Sequence, residues 1–447
     1  MGKTKMRRRD PVGVSATLAV GKQAGRPAMD LYDRAVANGH YMLDSGGLMG
    51  KHDNVRRYWE DALTREFLRP VLHEIVDRCY HGNCRRVRIF DLGCGSGQGY
   101  ELITTVKAKD ASIYEHEVEL LPPYMIGRYV GCDLSEAMVS QARATYGDNG
   151  KFEFRQADFG QGLPVEPHEL PFHFYFSSYG SLSHICSDSL TALLAEIGQH
   201  AADGSFIILD LLGRYSYEWP CYWQRPASHE DDMWDYRMSY LPGEEPERSE
   251  SWPMRYWSVE EVLAAVAEAA ELSGAELQVV RSFDRSIFVG RHMDTRQYNP
   301  YAPPLRSLVN QLHEGDVRTD LTGLLIDFVP HGEDDKINST LEHLSAAWNG
   351  LVRFCLDKLS APENGGRHLR SLELLPRPLQ QGIRTMDKVI ENVGWMQMGD
   401  ARSNIIEPQL GYALRGLEAA MQPGAGFGHG LLVAIRVGKK PRAGSSE

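Results

Sequence analysis

The 447-residue sequence lacks several things that would have decided its class at once. It has no run approaching 18 apolar residues, so no transmembrane helix is expected. Its seven cysteines form no C-x-x-C pair, and the number is odd, which argues against a disulfide framework and a zinc site and for a reducing compartment. None of its sixteen histidines has another three or four residues away, so helix-borne metal ligation has no support and no metal is expected. There is no dense basic stripe; the tight cluster Arg7-Arg8-Arg9 lies in an N-terminal tail, and the formal charge is −12. Duplex nucleic-acid binders show a basic face, so a small-molecule partner is the better expectation. Val12 to Val20 is too interrupted for a signal core, and Met6 stands where a myristoylation signal wants Ser or Thr. The expected location is the cytoplasm, with no membrane partner.

What is present is a globular composition, 42% hydrophobic and 24% charged, too long for one ordinary core. Residues 1–28 read as a flexible tail. Residues 29–80 turn helical, through Leu31 and Val36, a turn at 44–47, then Tyr58, Leu63, Phe67, Leu72 and Ile75 at helical spacing; Pro70 should kink or divide that helix. Strands then alternate with helices. Val87 to Asp91, Tyr129 to Asp133, Phe152 to Ala157, Phe172 to Ser177 and Phe206 to Asp210 read as strands. Tyr100–Val106, Leu134–Tyr146 and Ser187–Ala202 read as the helices between them, with Ser135 as an N-cap. Residues 107–124 read as an irregular insertion and 214–255 as a long irregular excursion. Ser258-Val259-Glu260-Glu261 is a capping box opening a helix that Gly274 stops. Leu277–Ser282 and Ile287–Gly290 look like the last two strands of the sheet. Residues 293–447 form a mostly helical block ending in the apolar run Leu431 to Val437, a strand that either joins the main sheet or does not. The fold class this predicts is α/β: a doubly wound, Rossmann-like sheet over 81–292, with a helical lid before it and the helical block after.

In such sheets ligands bind beyond the carboxyl ends of the strands. Four features fall there. Asp91-Leu92-Gly93-Cys94-Gly95-Ser96-Gly97 is a glycine loop between strand and helix, suited to close backbone approach by a ligand. Counted from Gly93, the last glycine of a nicotinamide fingerprint would fall on Gln98, and no G-K-[ST] follows as a Walker loop requires. Asp133 ends the second strand, where a carboxylate can accept from both hydroxyls of a ribose. Asp158, followed by Phe159, ends the third, where an acid can accept from an adenine amine and an apolar ring can pack on the base. Ser177-Ser178-Tyr179-Gly180 ends the fourth.

Together these resemble the class I S-adenosylmethionine (SAM)-dependent methyltransferases, over roughly residues 85–213. The resemblance implies SAM as cofactor. It sets the glycine loop (Gly93, Gly95, Gly97, with Asp91 touching the cofactor or bracing the loop) against the methionine part, Asp133 on the ribose, Leu134 and Phe159 on the adenine faces and Asp158 on its amine. Met138 and Ser177 join the expected cofactor set. Two departures stand out: the long gap from Asp91 to Asp133, and a fourth strand that carries His173 and ends in Ser and Tyr where many relatives have Asp or Asn. Tyr41, Tyr179 and His184 are the candidates for the acceptor side, His52 a weaker one. Tyr215, Tyr217, Trp219 and Trp223 either wall a pocket or pack together. Methyl transfer needs in-line positioning and exclusion of water, and a base only if the acceptor must lose a proton. The leading expectation is a methyltransferase acting on a small molecule, with the lid and helical block sealing the site or forming a homodimer interface. A second is a SAM-cyclising enzyme that releases methylthioadenosine and azetidine-2-carboxylate or 1-aminocyclopropane-1-carboxylate. A third is a SAM-binding scaffold without catalysis.

Overall fold

The computed structural model describes residues 32–34, 36–39, 41, 52–82, 86–109, 118–147, 149–225, 232–237, 251–360, 372–396 and 399–439. The expected tail 1–28, the turn at 44–47 and most of the insertion 107–124 lie outside them.

Five parallel strands form the heart of the sheet: β1 (Val87–Leu92), β2 (Ile126–Asp133), β3 (Phe152–Gln156), β4 (Phe174–Phe176) and β5 (Ser205–Gly213), in the spatial order β3-β2-β1-β4-β5. The helices between them are α1 (Asp61–His81) before β1, α2 (Gln98–Thr104), α3 (Glu136–Tyr146) and α4 (Ser187–His200). The mixed α/β fold with a mostly parallel central sheet is as the alternation predicts. Ser135 caps α3, its hydroxyl accepting from Met138 N at 3.2 Å. β5 is buried along its whole length, as its unbroken apolar run requires.

Several expectations are corrected. Pro70 does not divide α1, which runs unbroken through it. Pro70 and Glu66, whose carbonyl the proline cannot pair, both face solvent, while Leu63, Phe67, Leu68, Leu72 and Ile75 hold the opposite face in the core. The excursion 214–255 is not wholly irregular: β6 (Met233–Arg237) and β7 (Ser251–Trp257) pair antiparallel, and β7 adds to the end of β5 at Leu212 and Gly213. Trp234 and Tyr236 alternate with polar neighbours, and Trp252, Met254 and Tyr256 recur at every second position. These apolar side chains share one buried cluster.

After α5 (Val259–Ser273), opened by the Ser258–Glu261 capping box and closed by Gly274 at φ 67°, comes β8 (Glu276–Arg285). Ile287–Gly290 is not a strand. Its place is taken by β9 (Gly430–Gly438), which lies antiparallel between β5 and β8. The open question of the last apolar run is thereby answered: it belongs to the sheet. The stretch containing α6 (Leu305–Gln311), α7 (Asp335–Ser360), α8 (Arg377–Asn392) and α9 (Glu407–Met421) therefore enters the chain between two neighbouring strands.

Buried polar groups hold that stretch in place. Arg306 on α6 donates to both carboxylate oxygens of Asp53, each at 2.8 Å, and to Glu60 at 2.8 Å. The arginines around Glu60 overcome the upward push of burial and hold its carboxyl well below the usual range. Glu418 on α9 accepts from Trp59 Nε1 and from the backbone N–H groups of Ser286 and Ile287, all at 3.0 Å, and from Phe288. Burial nevertheless raises its carboxyl from the ordinary 4.5 to about 7.

A carboxyl whose folded value is raised binds its proton more tightly in the native state. Its stabilising share is full below 4.5 and is lost as pH climbs through about 7. Melting temperature measured across pH 4.5–8 should therefore fall less in Glu418→Gln than in the wild type. Glu418→Ala, which strands buried N–H donors, should cost at least ~2 kcal/mol in urea unfolding.

Candidate active site

A cavity of about 990 Å³ lies at the carboxyl ends of β1, β2, β4 and β5. This is where a doubly wound sheet offers strand-end side chains and helix N-termini to a ligand.

The glycine loop forms one end. Gly93, Gly95 and Gly97 all adopt positive φ (81°, 53° and 90°). A Cβ on Gly93 would sit 2.3 Å from Ser181 Cβ, and one on Gly97 2.7 Å from the Tyr146 ring, so both glycines are needed for packing. At Gly95 such an atom would meet nothing within 4 Å: this glycine looks into the cavity. Asp133 ties the two neighbouring turns together, accepting from Gly95 N at 2.9 Å and Ser135 N at 3.0 Å. Asp158 accepts from Gly160 N at 2.9 Å and keeps an exposed carboxylate beside buried Phe159.

Of the residues singled out from sequence, Tyr41, Gly93, Gly95, Asp133, Leu134, Met138, Asp158, Phe159, Tyr179 and His184 line this one cavity. Asp91, Gly97 and Ser177 stand behind its wall. Asp91 is fully buried and accepts a short hydrogen bond from Tyr129 Oη, and burial raises its carboxyl to about 7. A Cβ on Gly99, in the first turn of α2, would touch that carboxylate at 2.4 Å, so Asp91 packs against the start of the helix that follows the loop. Ser177 is wholly buried. His52 lies outside the lining, 2.9 Å from Gln98 Nε2. Tyr215, Tyr217, Trp219 and Trp223 do not line the cavity either; Trp219 Nε1 donates to Gly213 O at 2.8 Å and Trp223 Nε1 to Ser216 O at 2.9 Å, both within the packed interior.

Tyr179 holds the middle of the cavity wall. It is one of four described non-glycine residues at positive φ (55°), and its N–H donates to Asp210 Oδ2 at 2.6 Å. Its hydroxyl donates to Asp61. The Arg56 guanidinium lies 3.1 Å above the ring centroid and that of Arg285 4.4 Å away. Burial pushes its hydroxyl far up, so the phenol stays protonated. Arg285 pairs with Asp210 at 2.9 Å.

The far end is aromatic. Trp252 stacks on His184 (centroids 6.2 Å, 10°) and meets Tyr32 and Tyr236 edge-on or tilted. Tyr32 Oη lies 3.0 Å from His184 Nε2, and burial alone lowers His184 to about 4, so that ring is neutral at neutral pH. Met233, Met254, Arg291 and His429 also line the cavity. Sequence reasoning missed Arg56, Asp210, Arg285, Arg291, Trp252 and His429. Asp210 carried the signal the other acids did, an acid ending an apolar strand. The rest come from distant segments that only folding joins. Among the described residues no cluster of metal-ligating side chains occurs, and no helix is long and apolar enough to cross a membrane.

Residues 118–204, which run from just before β2 through α4, match the family model of a methyltransferase domain. The match covers about a fifth of the chain, and over that stretch the chain is similar to a methyltransferase domain. No curated protein matches the sequence. Among solved structures, a SAM-dependent methyltransferase from Mesorhizobium loti is 17% identical, with a TM-score of 0.29 over 48% of this chain and 82% of that one. Another from Clostridium acetobutylicum is 15% identical, with a TM-score of 0.30 over 48% and 82%. The CcbJ methyltransferase of Streptomyces caelestis is 12% identical, with a TM-score of 0.30 over 48% and 81%. Likeness at this level identifies neither acceptor nor reaction.

The geometry of the glycine loop makes a direct prediction. Gly93→Ala combines a clash with Ser181 and a strained φ, and should cost ~1–3 kcal/mol in urea unfolding. Gly95→Ala, with open space around it but a positive φ of 53°, should cost less.

Proposed function

We propose that the protein is a SAM-dependent methyltransferase acting on a small molecule, with cofactor and acceptor sharing the one cavity. The observation that carries this reading is the cavity's two differently built ends. Gly95, Asp133 and Asp158 lie at one, and Tyr32, His184, Tyr236 and Trp252 at the other. Its volume is at the top of the ~300–1,000 Å³ range of small-molecule sites.

The residues fit the cofactor that the family uses. Gly95 leaves backbone open to the methionine part, Asp133 stands where a ribose would lie, and Leu134, Asp158 and Phe159 stand where an adenine would. When bound, SAM supplies a methyl group on a sulfonium, already a strong electrophile. What remains for the chain is to orient the acceptor and keep water out. Tyr179, clamped between Arg56 and Arg285 and hydrogen-bonded to Asp61 and Asp210, is a rigid wall against which an acceptor can be set. Tyr41 and Tyr32 from the N-terminal segment bring aromatic cover. In this reading the N-terminal segment together with β6 and β7 closes the site, and among the described residues none of the cavity lining comes from α6–α9.

SAM cyclisation needs a pocket for one molecule. The second, aromatic end favours an acceptor, as does an intact cofactor end against a scaffold without catalysis. Incubating the full chain with SAM alone and analysing products by mass spectrometry separates these. We expect no turnover until an acceptor is added, then S-adenosylhomocysteine. Methylthioadenosine with a cyclic amino acid from SAM alone would refute methyl transfer. Asp133→Ala should weaken SAM binding at least ~30-fold by calorimetry, from loss of ribose contacts and of the Gly95 anchor; unchanged affinity would refute the ribose assignment.

A further inference from the structure

The geometry points to His429 as the general base of the reaction, oriented by the buried carboxylate of Glu218, and to an aromatic hydroxyl as the acceptor. This rests on the methyltransferase reading above.

His429 sits immediately before β9. Its backbone is pinned on both sides, its N–H donating to Ser286 O at 3.1 Å and its carbonyl accepting from Gly213 N at 3.3 Å. It is thus fixed at the carboxyl end of β5, and its side chain lines the cavity. Nδ1 lies 2.7 Å from Glu218 Oε2. Glu218 is fully buried, and a Cβ on Gly290 would sit 2.2 Å from that same oxygen, so the chain leaves room for the carboxylate and nothing else. Burial pushes the Glu218 carboxyl up, but His429 and the His292 N–H outweigh it and hold it below the usual range. An ionised carboxylate on Nδ1 favours the imidazole with its proton on that nitrogen, which leaves Nε2 as the accepting nitrogen. A purely structural ion pair would be expected to be sealed in the core; this one opens onto the site.

The groups around the ring suit the role. His292, 6.2 Å away between ring centroids, is held down to about 4 by burial and adds no charge near neutral pH. Trp219 lies 5.4 Å away. Across Gly430 stand Arg285 and Asp210, a paired cation and anion, and Arg291 shares the cavity wall. The rings Trp252, Tyr236, His292 and His429 follow one another at 5.5, 4.9 and 6.2 Å. The base therefore belongs to the aromatic end, where a flat ring would stack and where its hydroxyl needs a proton acceptor. As the hydroxyl oxygen forms its bond to the methyl carbon, the carbon–sulfur bond breaks and its electron pair stays on sulfur. The hydroxyl proton passes to Nε2, and the resulting imidazolium is stabilised by Glu218 until solvent takes the proton. Glu218 is a positioning residue in this scheme.

The test uses the full chain. Histidine-labelled NMR, with His429 assigned by its loss in His429→Gln, should show a neutral ring protonated on Nδ1. Protonation on Nε2 overturns the proposal. With SAM and phenols from 4-nitrophenol to 4-methoxyphenol, His429→Gln should lose at least ~100-fold in rate on the less acidic phenols at pH 7. On 4-nitrophenol at pH 8, already ionised in solution, the variant should lose little. Glu218→Gln should shift the His429 ring toward the Nε2-protonated form and slow the less acidic phenols, while leaving SAM affinity unchanged. Equal rates in wild type and His429→Gln overturn the proposal, as does failure of every phenol with an enzyme that binds SAM. Failure of the underlying reading is seen earlier and separately, as no SAM binding or as methylthioadenosine before any phenol is added.

Discussion

β9 lies antiparallel between β5 and β8, with Ser205 opposite Val437 and Leu212 opposite Gly430. That ladder carries much of the architecture. It returns the chain to the sheet after α6–α9, so the whole helical stretch is anchored at two adjacent strands. It sets Gly430 beside Asp210 and Arg285, and His429 beside the cavity. It also leaves the loop 425–428 to hydrogen-bond the buried carboxylate of Asp284 through four backbone N–H groups. An insertion between neighbouring, hydrogen-bonded strands can be long without loosening the sheet, because both of its ends are fixed by the same ladder.

The parts built from local pattern were legible in the sequence. The glycine loop, the acids ending β2 and β3, the Ser135 cap and the Ser258 capping box depend on neighbours within a few residues. So does the alternation that made the fold α/β. The parts that escaped depend on distant pairing. Ile287–Gly290 has the composition of a strand, yet its N–H groups at Ile287 and Phe288 are taken by Glu418, more than a hundred residues on. The β6–β7 pair was hidden in a segment so rich in aromatics that its two-residue alternation read as irregular. Pro70 would end many helices, but the packing of Phe67, Leu68, Val71 and Leu72 outweighs one hydrogen bond lost to solvent. In the site, the glycine-loop end was signalled by local motifs, although Asp91, Gly97 and Ser177 stand behind its wall. The aromatic end, with Trp252, Arg291 and His429 drawn from three separate segments, was not.

The two ends differ electrostatically in a way that fits their proposed partners. At the glycine loop the carboxylate of Asp133 accepts from the backbone N–H groups of Gly95 and Ser135, and a carboxylate has further acceptor capacity for hydroxyls. Deeper in, Arg56 is matched by the half-buried Asp61, and Arg285 and Arg306 by buried acids, Asp210 and Asp53 with Glu60. Buried pairs of this kind contribute little net stability but penalise any arrangement that breaks them. Around Tyr179 they fix a wall of the cavity against movement, which an in-line displacement requires.

The account's central claim is that one cavity holds the cofactor at the glycine end and keeps the aromatic end for an acceptor. A crystal structure of the full chain with S-adenosylhomocysteine tests it most directly. The ribose should lie on Asp133, the adenine between Leu134 and Phe159, and the amino-acid part along Gly93–Gly95, with the space beside Trp252 and His429 left open. An adenosyl group stacked on Trp252, or a cofactor that fills both ends, would contradict it.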